Sequence, residues 1–517
     1  MGRGMFRYWA AGIMFLSCLL SCVPRKEGQE VLRRSSPEKE GMRTVGILRF
    51  LEEVKSKGID MHSLMILRHG NVVVEGWWYP YRAKYRHIMH SVSKTFTSTA
   101  IGFAVQENRL SVDDRVVSFF PDELPPEVSP YLEELTVKHL LTMSVGQDPA
   151  PVFYMSEGDW VKRFLATPVV HRPGTVFGYS SYASYMLSAI IRKVTGQTVE
   201  EYLRTRLFEP LNITDVRWET DPQGNSAGGW GMRIRTEDMA RLGQFYLQKG
   251  QWNGRQLLSE AWIKEASSIQ IYQRDGLTLE EELHDNGVQG YGYQIWRCTH
   301  NAYRAAGADG QFIIVMPEQD AVVVITENTG DEQVLRLVFE HLQPVMVEGE
   351  YIARVEDTEE LSSMLSSLAV PDPFRTPEEL EDIPRNTVRS YTVEPNDRGL
   401  QSLSFAFGES GDIRLTLTAD SASFELPFGL DNWQYGETEK ESPYFHNPRK
   451  NPEGMSPFAT AGYGSWTAKD ELRLRLLYVE DYQEETYTCR FEGDRVEVGV
   501  DNSGGYLHPA VLSGRLH

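Results

Sequence analysis

Ser91-Val92-Ser93-Lys94 sets a hydroxyl and an amine three residues apart. On a helix that spacing means about 300° of azimuth and about 4.5 Å of rise, so both groups share one face. A serine in that position is a nucleophile in need of a base, and a neutral lysine amine is one. Moving a lysine from about 10.4 to near 7.5 represents about 4 kcal/mol of environmental work, which a buried helix turn supplies. A serine at a helix N-terminus also meets free backbone N–H groups and the positive dipole end, which suit a developing oxyanion. The plain alternatives are an N-cap serine and a snorkelling surface lysine. A second Ser-x-x-Lys, Ser36-Pro37-Glu38-Lys39, lies in a polar stretch read as solvated. Ser91 instead opens an apolar run reaching to about Glu107, with Phe96, Ile101, Phe103 and Val105, expected to be a buried central helix.

The elements around that helix follow from local signals. Leu64 to Leu67 and Val72 to Glu75 flank Arg68-His69-Gly70-Asn71, a hairpin pattern. Thr136 can cap a helix holding Leu140 and Leu141, and Tyr182 to Val194 is an apolar helix stopped by Gly196. Thr198-Val199-Glu200-Glu201 is a capping box, and Ser259 can open a further helix. Tyr291 to Trp296 is expected as a strand, and Gln311 to Met316 with Ala321 to Glu327 as a hairpin. Asp331 to Leu342 is expected as a closing helix. Strands at both ends with helices between them imply an α+β unit, one antiparallel sheet flanked by helices. Beyond residue 350 the texture changes to period-2 alternation, as in Leu403 to Phe407, Arg414 to Leu417 and Leu472 to Leu476. Residues 373–517 are therefore read as a C-terminal all-β sandwich or barrel-like domain.

The ordered motifs resemble the serine β-lactamase and penicillin-binding-protein-like family, especially its class C, esterase and 6-aminohexanoate-dimer hydrolase branches. The resemblance covers roughly residues 45–345. It is carried by His90 to Phe96, Leu140-Leu141-Thr142-Met143-Ser144, Pro173-Gly174 through Gly178-Tyr179-Ser180-Ser181, and Gly228-Gly229-Trp230-Gly231. It continues in the Thr236-Glu237-Asp238 helix and in Ala305-Ala306-Gly307-Ala308-Asp309-Gly310-Gln311. The resemblance implies a β-lactamase/transpeptidase-like fold in which Ser91 attacks a carbonyl while Lys94 and Tyr179 move its proton. The backbone N–H groups of Ser91 and Ala308 would form the oxyanion hole, and Ser181, Ala305, Gly307, Asp309 and Gln311 would bind substrate. Ser181 stands where the family's Tyr-x-Asn motif has Asn, and Ala305 where its third motif opens with Lys or His. An alanine offers no charge to a carboxylate, so small uncharged esters are expected to turn over better than β-lactams.

Composition sets outer limits. The chain has 517 residues, 41% hydrophobic and 24% charged, with a net charge of −21. A surface this acidic repels phosphate backbones, so no nucleic-acid partner is expected. Arg3 and Arg7 precede an uncharged run from Tyr8 to Leu20, too short to span a bilayer but suited to a signal-peptide core. It ends in Leu19-Leu20-Ser21-Cys22, which resembles a bacterial lipobox, so Cys22 is expected to carry a lipid and hold the exported protein to a membrane of the cell envelope. Cys298 and Cys489 are expected to be buried or idle thiols. His87 and His90 lack any motif to join them as ligands, so no metal and no cofactor is expected. The expected layout is residues 1–21 signal peptide, 22–43 tether, 44–345 hydrolase domain, 346–372 linker and 373–517 β-domain. The expected function is a secreted, lipid-anchored serine hydrolase acting on an ester or small amide. The alternatives are a cell-wall D-peptide hydrolase or weak β-lactamase and, from another class, a non-catalytic binding lipoprotein.

Overall fold

The computed structural model describes residues 32–517, apart from positions 275, 331, 379, 381, 382 and 506 and the side chain at 282. The signal-peptide core and Cys22 lie outside the described residues. A seven-stranded sheet forms the spine of the first unit. From edge to edge its strands are Arg33–Arg34, Asn71–Trp77, Met61–Arg68, Ala321–Glu327, Gln311–Met316, Tyr303–Gly307 and Trp296–Arg297. All pairings are antiparallel except that of the first edge strand, Arg33↔Asn71. The chain's early hairpin thus sits beside its late one, at Val323↔Ile66.

Both faces of this sheet are covered, so its strands are apolar throughout rather than alternating with polar residues. Alternation instead sorts side chains between two layers. Met65, Leu67, Ile313, Val322 and Val324 face the helical layer that contains Phe96 and Ile101. Leu64, Ile66, Phe312, Ile314 and Val323 face the opposite layer, against the Thr44–Ser56 helix. The Thr236–Leu247 helix lies close on the sheet because Gly243 has no side chain; a Cβ there would stand 2.5 Å from Val322 Cγ1.

The second unit is a closed barrel. Its ten strands run between Thr387 and Leu516, and the Trp433–Thr438 strand flanks the other nine. The first and last strands pair at Tyr391↔Leu516, and a short parallel seam at Gly429↔Tyr463 closes the ring. Glycine makes that seam possible, since a Cβ on Gly462 would lie 2.0 Å from the Pro427 carbonyl oxygen.

Two expectations are corrected. Residues 32–43 are not a solvated tether: Leu32 and Met42 are buried, and Arg33–Arg34 is an edge strand. The run from Tyr291 to Trp296 is mostly irregular, with only Trp296–Arg297 pairing as a strand. Gln294 (φ +60) breaks its extended backbone, and Gly290 (φ +106) bends the chain just before it. The Val355–Ser366 helix packs on the first unit, where Leu365 on the helix and Leu368 just beyond it border Gly76. One continuous apolar cluster joins the sheet's back face to the barrel interior, so the β-domain is docked rather than separate.

Candidate active site

The turn that carries Ser91 is a short 3₁₀ segment, His90–Val92, that runs into the Ser93–Gln106 helix. His90 is held at φ +42, an uncommon conformation for a non-glycine residue, by bonds on both its ends. Ser93 Oγ donates to its carbonyl at 2.6 Å, and its ring Nε2 pairs with the Tyr482 hydroxyl at 2.8 Å. Ser93 is thereby committed to the backbone, also accepting from Met232 N at 3.2 Å. Thr97 likewise donates to Gly228 O at 2.8 Å. Ser91 is half-buried at the head of the helix.

Lys94, 1% exposed, points at Ser91. Its Nζ lies 2.8 Å from Ser91 Oγ, 3.1 Å from Ser181 Oγ and 2.6 Å from Gly229 O. Burial pushes it well below the usual lysine value, and the charge of Lys450 pushes the same way. The Gly228-Gly229 pair lets that carbonyl approach, for a Cβ on Gly229 would stand 2.5 Å from Ser181 O.

Tyr179 lies on the loop before the Ser181–Thr195 helix, capped by Ser180. Gly178 N donates to Met143 O at 2.7 Å, and Gly174 N to Ser144 O at 2.8 Å, tying this loop to the Leu140 to Ser144 segment. The Tyr179 ring is stacked on Trp296 at 5.6 Å and faces Lys94 Nζ at 4.9 Å. Its hydroxyl reaches Ser91; burial raises it to about 12, and the hydrogen bond to Ser91 opposes that rise. One edge of the ring remains exposed at the cleft mouth.

The Tyr303–Gly307 strand delivers the turn opposite. Gly307 abuts the turn that carries Ser91, since a Cβ on it would stand 2.4 Å from Met89 O. Ala308 then lines the same cavity as Ser91, and Asp309 follows at φ +58. Of the five residues the resemblance implied for substrate binding, Ser181, Gly307 and Asp309 line the clefts around Ser91. The other two are corrections. Ala305 turns into the helical core at 6% exposure, and Ala306 faces the cleft instead. Gln311 is fully buried and braces the turn, its Nε2 donating to Ala308 O at 3.1 Å, Asp309 O at 3.0 Å and Glu327 O at 2.7 Å. Arg304 borders the outer cleft, but its guanidinium is held by Glu332 at 2.7 Å and Asn286 O at 2.7 Å. Cys298 and Cys489 are buried and form no disulfide.

The sequence reading missed the roof. Tyr444, Asn447, Arg449, Lys450, Tyr482 and Gln483, all from the β-domain, wall the cavity of about 250 Å³ that contains Ser91. Tyr482 donates to Asp309 Oδ2 at 2.5 Å. Behind it, Arg233 of the first unit pairs with Asp481 at 2.7 Å and Glu219 at 3.4 Å, all nearly fully buried. A signal existed in the sequence, because residues 439–457 interrupt the period-2 pattern with a Pro- and aromatic-containing stretch that includes Arg449-Lys450. Among the described residues there is no group of His, Cys, Asp and Glu arranged to hold a metal ion.

The family profile described as Beta-lactamase matches residues 49–339. A 6-aminohexanoate-dimer hydrolase of Paenarthrobacter ureafaciens is 25% identical over 285 residues, spanning 51% of this chain and 71% of that protein. An uncharacterized protein of Alkalihalophilus pseudofirmus is 23% identical over 303 residues, 52% of this chain and 83% of that one. The crystal structure of a family VIII carboxylesterase covers 61% of this chain and 99% of its own, at 15% identity and a TM-score of 0.48.

Proposed function

Because this chain belongs to the beta-lactamase family of serine hydrolases, we propose that it cleaves an ester or small amide through an acyl-enzyme on Ser91. The carrying observation is the buried Lys94 amine 2.8 Å from the Ser91 hydroxyl. A neutral lysine amine has two N–H donors and one lone pair. Gly229 O and Ser181 Oγ take the two donors, leaving the lone pair for the Ser91 O–H. Ser91 Oγ attacks the carbonyl carbon as Lys94 takes its proton, and the oxyanion is met by the backbone N–H groups of Ser91 and Ala308. Tyr179, raised to about 12, stays protonated at neutral pH and suits the acid role, donating to the leaving oxygen or nitrogen. The proton on Lys94 then re-supplies Tyr179. In the second half a water attacks the acyl carbon by the reverse relay, releasing the acid and restoring Ser91. A fluorophosphonate probe should leave its adduct on Ser91 by peptide mass spectrometry and none on the Ser91→Ala variant. An adduct on Ser36, Ser93 or Ser181 instead, or no adduct and no turnover of any p-nitrophenyl ester, sinks this reading in favour of the binding lipoprotein.

Export and lipid anchoring are proposed from the Tyr8 to Leu20 run and the lipobox-like Leu19 to Cys22. Among the described residues no helix is long and apolar enough to cross a membrane. Cys22→Ala should release the protein from the membrane fraction; retention without lipid label would refute the anchor.

A further inference from the structure

Lys450 is a cation with no ion-pair partner among the described residues. Among the described residues no carboxylate oxygen lies within 4.0 Å of its Nζ, although it walls the same cavity as Ser91. The carboxylates nearby are engaged elsewhere. Glu219 and Asp481 pair with Arg233, and Asp309 accepts from Tyr482. What surrounds the ammonium is aromatic: it lies 5.3 Å from the Trp230 ring centroid and 4.8 Å from that of Tyr444. Ring faces attract and orient a cation without neutralising it. Lys450 is half-buried, so its charge is partly desolvated and a ligand that supplies a counter-charge is favoured there.

We propose that Lys450 is the anion-recognising group of the Ser91 cavity, and that the substrate is an ester or amide bearing a carboxylate elsewhere on the same molecule. This rests on the hydrolase reading of Ser91. It replaces the expectation, drawn from Ala305, that uncharged esters are preferred. Position 305 brings no charge because its methyl group faces the core, but a cation arrives from the other domain, some 145 residues further along the chain. Arg449 lines the same cavity and adds to the positive potential. In a molecule of net charge −21, anion selectivity has to come from such a local concentration of positive charge. Burial lowers Lys450 to about 8, so at neutral pH it still carries its proton.

The test uses two probes of one length that differ in charge, p-nitrophenyl hydrogen adipate and its methyl ester. The full-length enzyme should favour the anion by roughly tenfold or more in kcat/KM, about the effect of one charge-assisted hydrogen bond. Lys450→Met should reduce that ratio about tenfold or more, and Lys450→Arg should keep most of it. Equal turnover of both esters by the wild type, or an unchanged ratio in Lys450→Met, overturns the proposal, as does an equal loss on both esters, which marks a structural role. If neither ester is cleaved, the hydrolase reading fails by itself, and calorimetry with monomethyl adipate decides the anion site. Binding that is lost in Lys450→Met supports the site, and no binding to the wild type overturns it.

Discussion

Lys94 touches three acceptor-capable atoms from three segments, and two predictions follow from how it is held. Lys94 and Tyr179 converge on one hydroxyl, so their losses should not multiply. Lys94→Ala and Tyr179→Phe should each cut kcat by roughly a hundredfold or more, as removal of a proton-transfer group does. The double variant should be hardly worse, as read by steady-state kinetics on a p-nitrophenyl ester. Losses that multiply would mean independent roles. The second prediction concerns pH and stability. Lys94 is held below its ordinary value, first by burial and then by the charge of Lys450. The unfolded chain therefore binds a proton there that the folded chain does not, over the window from the folded value up to 10.5. Stability contributed at this site rises with pH across that window. Lys94→Met abolishes the effect, so the stability of wild type minus variant should climb as pH rises toward 10.5, by at most about 1.4 kcal/mol per unit. Urea titrations at several pH values read this directly; a flat difference would mean that Lys94 stays charged in the folded protein.

The turn from Gly307 to Gln311 is sensitive to a single atom. Gly307 has φ −117, open to any residue, so its need for glycine is one of space and not of backbone conformation. An added Cβ would stand 2.4 Å from the Met89 carbonyl oxygen, and backbone on both sides cannot yield without moving Ala308 away from Ser91. Gly307→Ala is expected to cost about 1–3 kcal/mol of stability by overpacking. It should also lower kcat more than it raises KM, because in the proposed mechanism the displaced N–H meets the oxyanion and not the ground-state carbonyl. Thermal melts and ester kinetics check both. A variant with wild-type kcat would place the oxyanion donor elsewhere. A strand of this kind also shows why the sequence did not tell which way Ala305 faces. Tyr303 to Gly307 is buried from both sides, and when both faces are apolar the period-2 pattern cannot say which alternate set meets the site.

Across the whole molecule, the barrel is fastened to the hydrolase unit beside the cavity. Arg86 pairs with Glu480 at 3.0 Å, Ile88 N donates to Glu480 O at 2.8 Å, and Arg233 pairs with Asp481. Arg233 and Asp481 are 3% and 2% exposed, so removing one leaves an uncompensated buried charge. Asp481→Ala is therefore expected to destabilise by about 3–5 kcal/mol, toward the lower end because Glu219 remains. Neighbouring Tyr482 would lose its anchor, and ester hydrolysis should fall with it. Chemical denaturation measures the first effect. A loss of less than about 1 kcal/mol would place this pair among exposed bridges and show that the docking does not rest on it.

The sequence by itself determined whatever local periodicity and local sterics control. Gln311 to Met316 and Ala321 to Glu327 form the hairpin their patterns imply, and Thr198 with Glu201 forms the capping box. Ser91 and Lys94 share a face because three residues of helix leave no other choice. The family motifs, read in order, carried the fold class of the first unit. Barrel closure, the inward turn of Ala305 and the bracing role of Gln311 needed the tertiary structure, since each depends on which of two buried faces meets which neighbour. The same holds for Tyr482 and Lys450. Nothing near residue 91 encodes the approach of residues some 360 to 390 positions away. Their place over Ser91 is fixed by the docking of two apolar surfaces and a buried ion pair, and such contacts have no period in the chain.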